Sequence, residues 1–285
     1  GVPRILPVDL AADKQASANA FGYEWTRFRE LRPEYREQFL GWIAPLTPQD
    51  FSGKVVLDAG CGKGRHLYWS AKFGARDVIG VDLGPAVEVA YANTKEFDNV
   101  SVIQADIYHL PIKPVVDLAY SIGVLHHLPD PAKGFAALVA TVRPGGTVAA
   151  WVYGREGNGW IVYGLNPIRK LLTSRLPHVL TQVIAFLLTC ILQPLVKLVY
   201  RPINRILALR PLRGVLFYND YLYDISRFSF RENYSIVFDH LVAPTAFYLR
   251  REEFQQWFAN NRLADIKISW RNKNSWRGVG VRSKS

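Results

Sequence analysis

Cysteine is scarce: only Cys61 and Cys190 occur in 285 residues. Two thiols are too few for a disulfide framework, and no CxxC pair offers a structural metal site, so a reduced, cytosolic chain is the simplest expectation. The opening stretch GVPRILPVDLAADKQ has no continuous apolar run, and no secretory leader is expected from it. Internal repeats and low-complexity tracts are absent too, which excludes solenoids and arrays. The most pointed shortage is of acid. From Gly157 to Asn219 there is no Asp or Glu, while Arg169, Lys170, Arg175, Lys197, Arg201, Arg205, Arg210 and Arg213 add eight positive charges. The net charge of +11 is therefore concentrated in one segment, which implies an anionic partner. Within that segment, the 21 residues from Leu176 to Val196 carry no charge at all.

What is present is enough to fold. An apolar fraction of 49% with 13% aromatics buries enough surface to offset ordering entropy. Residues 1 to about 20 read as an extended arm, and Trp25 to Ile43 as a helix with apolar positions at 28, 31, 35, 39, 42 and 43. Short apolar runs then alternate with helical stretches, the pattern of βαβ units and a parallel sheet. The runs are Val55-Val56-Leu57, Val78-Ile79-Gly80-Val81, Ser101-Val102-Ile103, Val116 to Tyr120 and Thr147 to Trp151. Helices are predicted between them at 64–73, 85–96 and 132–141. A further helix over Arg251 to Asn260 precedes two closing strands, Ile266 to Trp270 and Gly278 to Val281. About 95 residues, from Gly154 to about Arg250, interrupt this pattern.

The first run leads into Asp58-Ala59-Gly60-Cys61-Gly62-Lys63-Gly64-Arg65-His66. Glycines between a strand and a helix let the backbone approach a ligand closely. Their GxGxG spacing differs from the GxGxxG of a pyrophosphate-binding turn, and an acid inside the bend suits a cationic ligand better than a phosphate. Asp82 closes the second run in GVDLG, placed to accept two hydrogen bonds from ribose hydroxyls, or else merely to cap the next helix. Asp106 follows the third run in Gln104-Ala105-Asp106-Ile107.

These residues, with Asp117 to Pro131 (DLAYSIGVLHHLPDP) and Val142 to Thr147 (VRPGGT), resemble class I S-adenosylmethionine-dependent methyltransferases. The resemblance is firm over 54–152 and loose over 251–282, and it is closest to the branch acting on small molecules, quinone-like rings and lipids. It implies an α/β fold: a doubly wound, Rossmann-like, seven-stranded and mostly parallel sheet with a closing antiparallel hairpin. A large, mainly helical insertion follows strand 5. Residues 1–50 would form an arm and lid, 51–153 and 251–285 the cofactor-binding core, and 154–250 the insertion. It implies S-adenosylmethionine as cofactor, held by Asp58, Gly60, Cys61, Gly62, Gly64, Asp82, Leu83, Asp106, Ile107 and Ser121, with Tyr23 and Trp25 from the lid. Asp106 would meet the adenine amino group.

His126 and His127 stand past the fourth run, where open α/β sheets bind ligands. Either could act as general base for a hydroxyl or activated carbon, with His127 favoured, and a packing or cofactor-shelf histidine is the competing reading. An Asn/Asp-Pro-Pro-Tyr/Phe signature is missing there, which disfavours adenine or amide N-methylation. No metal-ligand spacing is visible.

The insertion is expected to shape the acceptor pocket, with Tyr218 and His240, together with Arg277, as candidate acceptor contacts. Its uncharged run is long enough to cross a bilayer. A single crossing, however, would separate the fifth strand from the closing hairpin. Two short interfacial helices or a shallow re-entrant hairpin avoid that conflict, with Arg169, Lys170, Lys197, Arg201 and Arg205 meeting anionic head groups. A buried helical subdomain is the plainer alternative. Nucleic acid is disfavoured as a partner, because the arginines alternate with aliphatic runs rather than with stacking aromatics. The expected function is methyl transfer to a small, hydrophobic or lipid-like acceptor. The competing one is a non-catalytic protein of this fold docking to a membrane or partner.

Overall fold

The computed structural model describes residues 1–7, 10, 12–171, 176–243 and 246–284. Arg175 falls outside them, and so does the side chain of Lys170. The chain forms two compact units, Gly1–Gly154 with Thr245–Arg271 and Ser275–Ser285, and Arg155–Pro244 with Asn272–Asn274.

The first unit is built on one eight-stranded sheet: β1 Arg4–Ile5, β2 Val55–Ala59, β3 Asp77–Asp82, β4 Val100–Ala105, β5 Val116–Ile122, β6 Val142–Tyr153, β7 Leu263–Arg271 and β8 Ser275–Arg282. The order is β1-β4-β3-β2-β5-β6-β8-β7. Strands β1 to β6 pair in parallel, and β8 runs antiparallel to both β6 and β7. The eighth strand is the addition to the expected seven. Arg4 and Ile5, assigned to a free arm, pair with Gln104 and Ala105.

β2 reads as a continuous apolar run because both of its faces are covered. Val55, Leu57 and Ala59 join Phe135, Leu138, Phe254 and Phe258 on one side. Val56 joins Phe39, Phe51, Leu67 and Val78 on the other. Each such fully buried aliphatic or aromatic side chain contributes about 1.5–3 kcal/mol.

The helices of this unit begin with α1 Ala12–Arg27 and α2 Tyr35–Ile43, followed by α3 Arg65–Lys72, α4 Ala86–Thr94 and α5 Pro131–Thr141. The single helix expected over 25–43 is thus two helices, separated at 28–34. Pro33 disfavours helical φ/ψ in the residue before it, so the α2 pattern cannot propagate backwards. The chain order reverses between β3 and β5 about the central β2, which opens a crevice at the carboxyl ends of those strands.

The second unit is helical: α6 Asn166–Leu171, α7 His178–Leu195, α8 Arg201–Arg205, α9 Asn219–Ile225 and α10 Phe230–Val242. Neither a pair of short helices nor a hairpin forms over the uncharged run. One helical stretch, His178–Arg205, covers 28 residues. Pro194 lies inside it, and the backbone adjusts through a π-helical turn at Val196–Tyr200, as expected where a proline removes one N–H and crowds the preceding carbonyl. The tip of the β7–β8 hairpin, Asn272–Asn274, also belongs to this unit.

Candidate cofactor and acceptor residues

The glycine bend is held by backbone and by one acid. Gly60 and Cys61 donate their N–H groups to the Val81 carbonyl, at 2.7 and 3.0 Å. Gly60 has φ +87°, and a Cβ on it would stand 2.3 Å from a Val124 methyl, so only glycine fits. Gly62 and Gly64 share the left-handed backbone, with φ of +51° and +80°. Asp82 accepts N–H bonds from Gly62 at 2.9 Å and from Gly84 at 2.8 Å, one on each oxygen. It therefore fixes the bend as well as ending β3, and each oxygen keeps a further lone pair. Burial raises its pKa, against the lowering effect of those N–H groups.

Asp58 is different. Its carboxylate is fully buried and no hydrogen bond reaches either oxygen. The nearest basic group is His66 Nδ1 at 3.8 Å. Burial, with Asp82 second, pushes the Asp58 pKa well up despite Arg65, while burial, Arg65 and Lys63 push that of His66 well down. An acid without a donor in a dry site is costly unless a cation or donor joins it. The other expected cofactor residues are more settled. Ser121 Oγ donates to the Ala59 carbonyl at 2.8 Å. Cys61 is buried, its thiol pushed up by burial and by Asp82 and Asp58. The Leu83 carbonyl accepts from Gln104 Nε2 at 2.9 Å, and Ile107 is packed into the core.

Helix α1 lies across this crevice. Lys14 is ion-paired with the buried Asp106, which also accepts from the Tyr108 N–H at 3.1 Å. A Cβ on Gly84 would meet the Ala18 carbonyl at 2.8 Å, and one on Gly62 the Trp25 indole nitrogen at 3.0 Å. Phe21 meets His127 edge-on at 4.8 Å. Tyr23 is half-buried on the same helix. Tyr23 and Trp25, expected to belong to a lid, thus stand near the end of a 16-residue helix. Sequence reading missed Lys14, because nothing local links it to a residue 92 positions away. Lys63 was also missed: buried within the bend, it donates to the Phe28 carbonyl at 2.8 Å and to Tyr35 Oη at 2.9 Å.

His126 and His127 form a buried 3-10 turn after β5, their rings 4.3 Å apart. Tyr153 packs on His126 at 4.1 Å and stacks on Tyr248 at 5.5 Å. The three acceptor candidates are not brought together in one unit. Arg277 belongs to the sheet unit, and its guanidinium is already used, donating to Ser269 Oγ at 2.8 Å and to the Gly41 carbonyl at 2.5 Å. It clamps α2 to the hairpin. Tyr218 and His240 lie in the helical unit. Tyr218 Oη donates to Asn158 Oδ1 and accepts from Asn274 Nδ2 at 2.8 Å. His240 Nε2 stands 3.3 Å from Tyr221 Oη, and burial with Arg169 pushes its pKa down to about 4. Arg169 itself is 3% exposed, so it does not face lipid head groups as the sequence suggested. Among the described residues no three His, Cys, Asp or Glu are grouped to hold a metal.

Residues 57–150 match the methyltransferase domain family. The chain carries a methyltransferase domain. Such domains of this class take S-adenosylmethionine as methyl donor, and the bend fits it: three left-handed glycines without side chains, one unsatisfied buried carboxylate, and Asp82 with lone pairs to spare. The tRNA U34 carboxymethyltransferase of Pseudoalteromonas translucida is 32% identical over 133 residues, 45% of this chain and 40% of that protein. The ubiquinone biosynthesis O-methyltransferase of Thiobacillus denitrificans is 33% identical over 157 residues, 52% of this chain and 66% of that protein. The chain thus spans less than half the length of the carboxymethyltransferase it matches. Magnesium protoporphyrin IX methyltransferase from Synechocystis PCC 6803 shares the fold, with a TM-score of 0.53, 14% identity and 97% and 100% of the two chains covered. With both a tRNA-directed and a quinone-directed enzyme among the relatives of the methyltransferase domain, the expectation against nucleic acid finds no support in them.

Proposed function

We propose that this chain catalyses methyl transfer from S-adenosylmethionine to a small acceptor with an extended apolar portion. The observation that carries the reading is the Asp58 carboxylate, buried without a hydrogen bond beside a glycine bend that admits no Cβ. S-adenosylmethionine, when bound, supplies a sulfonium methyl that an oxygen, nitrogen or carbon nucleophile displaces in line, leaving S-adenosylhomocysteine. Asp58 offers negative charge to the cationic amino-acid end, Asp82 accepts from ribose hydroxyls, and Asp106 receives the adenine amino group once Lys14 releases it. Gly60, Cys61, Gly62, Gly64, Leu83, Ile107 and Ser121 shape the walls, with Tyr23 and Trp25 of α1 closing over them to exclude water. For a hydroxyl acceptor, His127 takes the proton, and His126 with Tyr153 fixes its ring.

The acceptor's apolar character and a peripheral place at the cytoplasmic face of an anionic membrane belong to the same proposal. Supporting it, Ile191 and Leu198 of the long helix are 69% and 74% exposed, while Lys197, Arg201, Arg205 and Arg210 follow in a stretch without acids. Each basic residue near such a surface contributes about 1 kcal/mol. Because β6 and β8 are adjacent in one sheet, both ends of the insertion return to the same side, which favours a helix lying in the interface over one crossing.

Calorimetry with S-adenosylmethionine tests the core claim. One saturable site is expected in the wild type, with binding weakened at least tenfold in Asp58→Asn and lost in Asp82→Ala. Absence of binding to the wild type would leave the non-catalytic docking protein as the surviving reading.

A further inference from the structure

Among the described arginines of the basic segment, Arg169 is the one that the fold buries this deeply, at 3% exposed. It sits on α6, on the same face as Asn166 three residues earlier. Its Nε and Nη2 have no hydrogen-bond partner, and among the described residues no carboxylate forms an ion pair with it. Guanidinium stays protonated in proteins, so this is a full buried charge without a counter-ion, an arrangement that folding alone does not favour.

The surroundings do not neutralise it. No acid occurs between Gly157 and Asn219. Of the acids that follow, Asp220 pairs with Lys273 at 3.2 Å and Asp224 with Arg227 at 3.7 Å, and neither Glu232 nor Asp239 forms an ion pair with Arg169. His240, close enough to be affected by the Arg169 charge, stays neutral, and its ring reaches Tyr221 Oη. The Asn166 Oδ1 is likewise buried without a donor. A half-turn of the Asn166 amide brings its two N–H donors to the place of that oxygen.

We propose that Arg169, with Asn166 and the His240–Tyr221 pair beside it, is an oxyanion-binding site in the helical unit that receives a carboxylate or phosphate group. The geometry of the donor supports the class of ligand. Nε and Nη2 form one edge of the guanidinium, two parallel N–H groups at the spacing of two oxygens on a carboxylate or phosphate. The inference goes beyond the methyl-transfer reading and does not rest on it, since the site would bind an oxyanion whether or not a methyl is transferred.

The test uses the full chain and three probes: decanoate, decanol and inorganic phosphate, each titrated by calorimetry, with S-adenosylmethionine titrated separately. Decanoate or phosphate is expected to saturate one site. Decanoate binding at least tenfold tighter than decanol marks a carboxylate site, and phosphate saturation with weak decanoate marks a phosphate site. Either affinity should fall at least tenfold in Arg169→Gln and partly recover in Arg169→Lys, with S-adenosylmethionine affinity held within twofold. Arg169→Met should leave the ligand-free melting temperature unchanged or raised, because it removes an unmatched buried charge, and should abolish the anion-induced rise seen in the wild type. The proposal is overturned if neither anion saturates, if decanol binds as well as the tighter-bound of the two anions, or if Arg169→Gln binds that anion within twofold of the wild type. Cofactor binding without anion binding sinks the oxyanion site alone, and the reverse result sinks the methyl-transfer reading.

Discussion

Val55–Ala59 and His178–Leu195 are both apolar runs, yet β2 is buried along its whole length while only 22% of the most apolar window of the long helix is covered. In the sheet unit, apolar side chains do the holding, and the polar Asp58, Asp82 and Asp106 stand at or just after strand ends. In the helical unit the interior includes a polar network, with Asn204 Nδ2 donating to Asn219 Oδ1 at 2.7 Å and Asn158 Nδ2 to the Asn274 carbonyl at 2.6 Å, and much of the oil faces outward. The difference is one of burial: one unit uses its apolar surface for stability, and the other leaves much of it in solvent.

Deleting apolar volume should expose that contrast most strongly. Leu57→Ala, inside the sheet core, is expected to lower unfolding free energy by about 2–5 kcal/mol in urea; a loss below 1 kcal/mol would contradict the packing described. Acid should act next, and on the helical unit. His240 is neutral with a folded pKa of about 4, below its unfolded value of about 6.5. The unfolded chain therefore takes up a proton first as pH falls, so stability present above pH 6.5 is lost towards pH 4. Relative to His240→Gln, the wild type should lose about 3 kcal/mol more across that window. Identical pH profiles would show that the ring is not kept neutral.

The remaining two predictions concern function rather than folding. Gly60→Ala forces a Cβ against Val124 and should weaken S-adenosylmethionine about a hundredfold, about 2.7 kcal/mol in calorimetry, while Gly214→Ala, with open space around it and no left-handed backbone, should leave the affinity unchanged. Leu187→Ser, on the exposed face at 58%, should change stability by less than about 0.5 kcal/mol yet reduce co-sedimentation with anionic liposomes. Equal sedimentation of variant and wild type would argue that this face meets something other than lipid.

Much of the sheet was readable because its signals are local. A buried strand ending in Asp58 and a glycine bend declares itself within ten residues, and so does the Asp82 strand end. The first strand escaped because two residues, Arg4 and Ile5, carry no periodicity and form only by adding to β4. The helix break at 28–34 was masked by apolar positions that fit a single helix across Pro33. Long-range partnerships were illegible for the same reason: Lys14 with Asp106, Arg277 with Gly41, and the burial of Arg169, which composition alone assigns to solvent. Charge counts tell how many cations a segment holds but not which of them the fold turns inward.

Helix α1 bears on the crevice at four points along its length, from Lys14 through Ala18 and Phe21 to Trp25. Were the donor nucleoside bound in that crevice as proposed, it could not leave past a helix so seated without lifting it, and the residence time of the spent product would be set by how often those anchors release together. Turnover would then be paced by opening rather than by bond making, and a substitution such as Lys14→Met would quicken exchange while leaving the transfer step itself untouched.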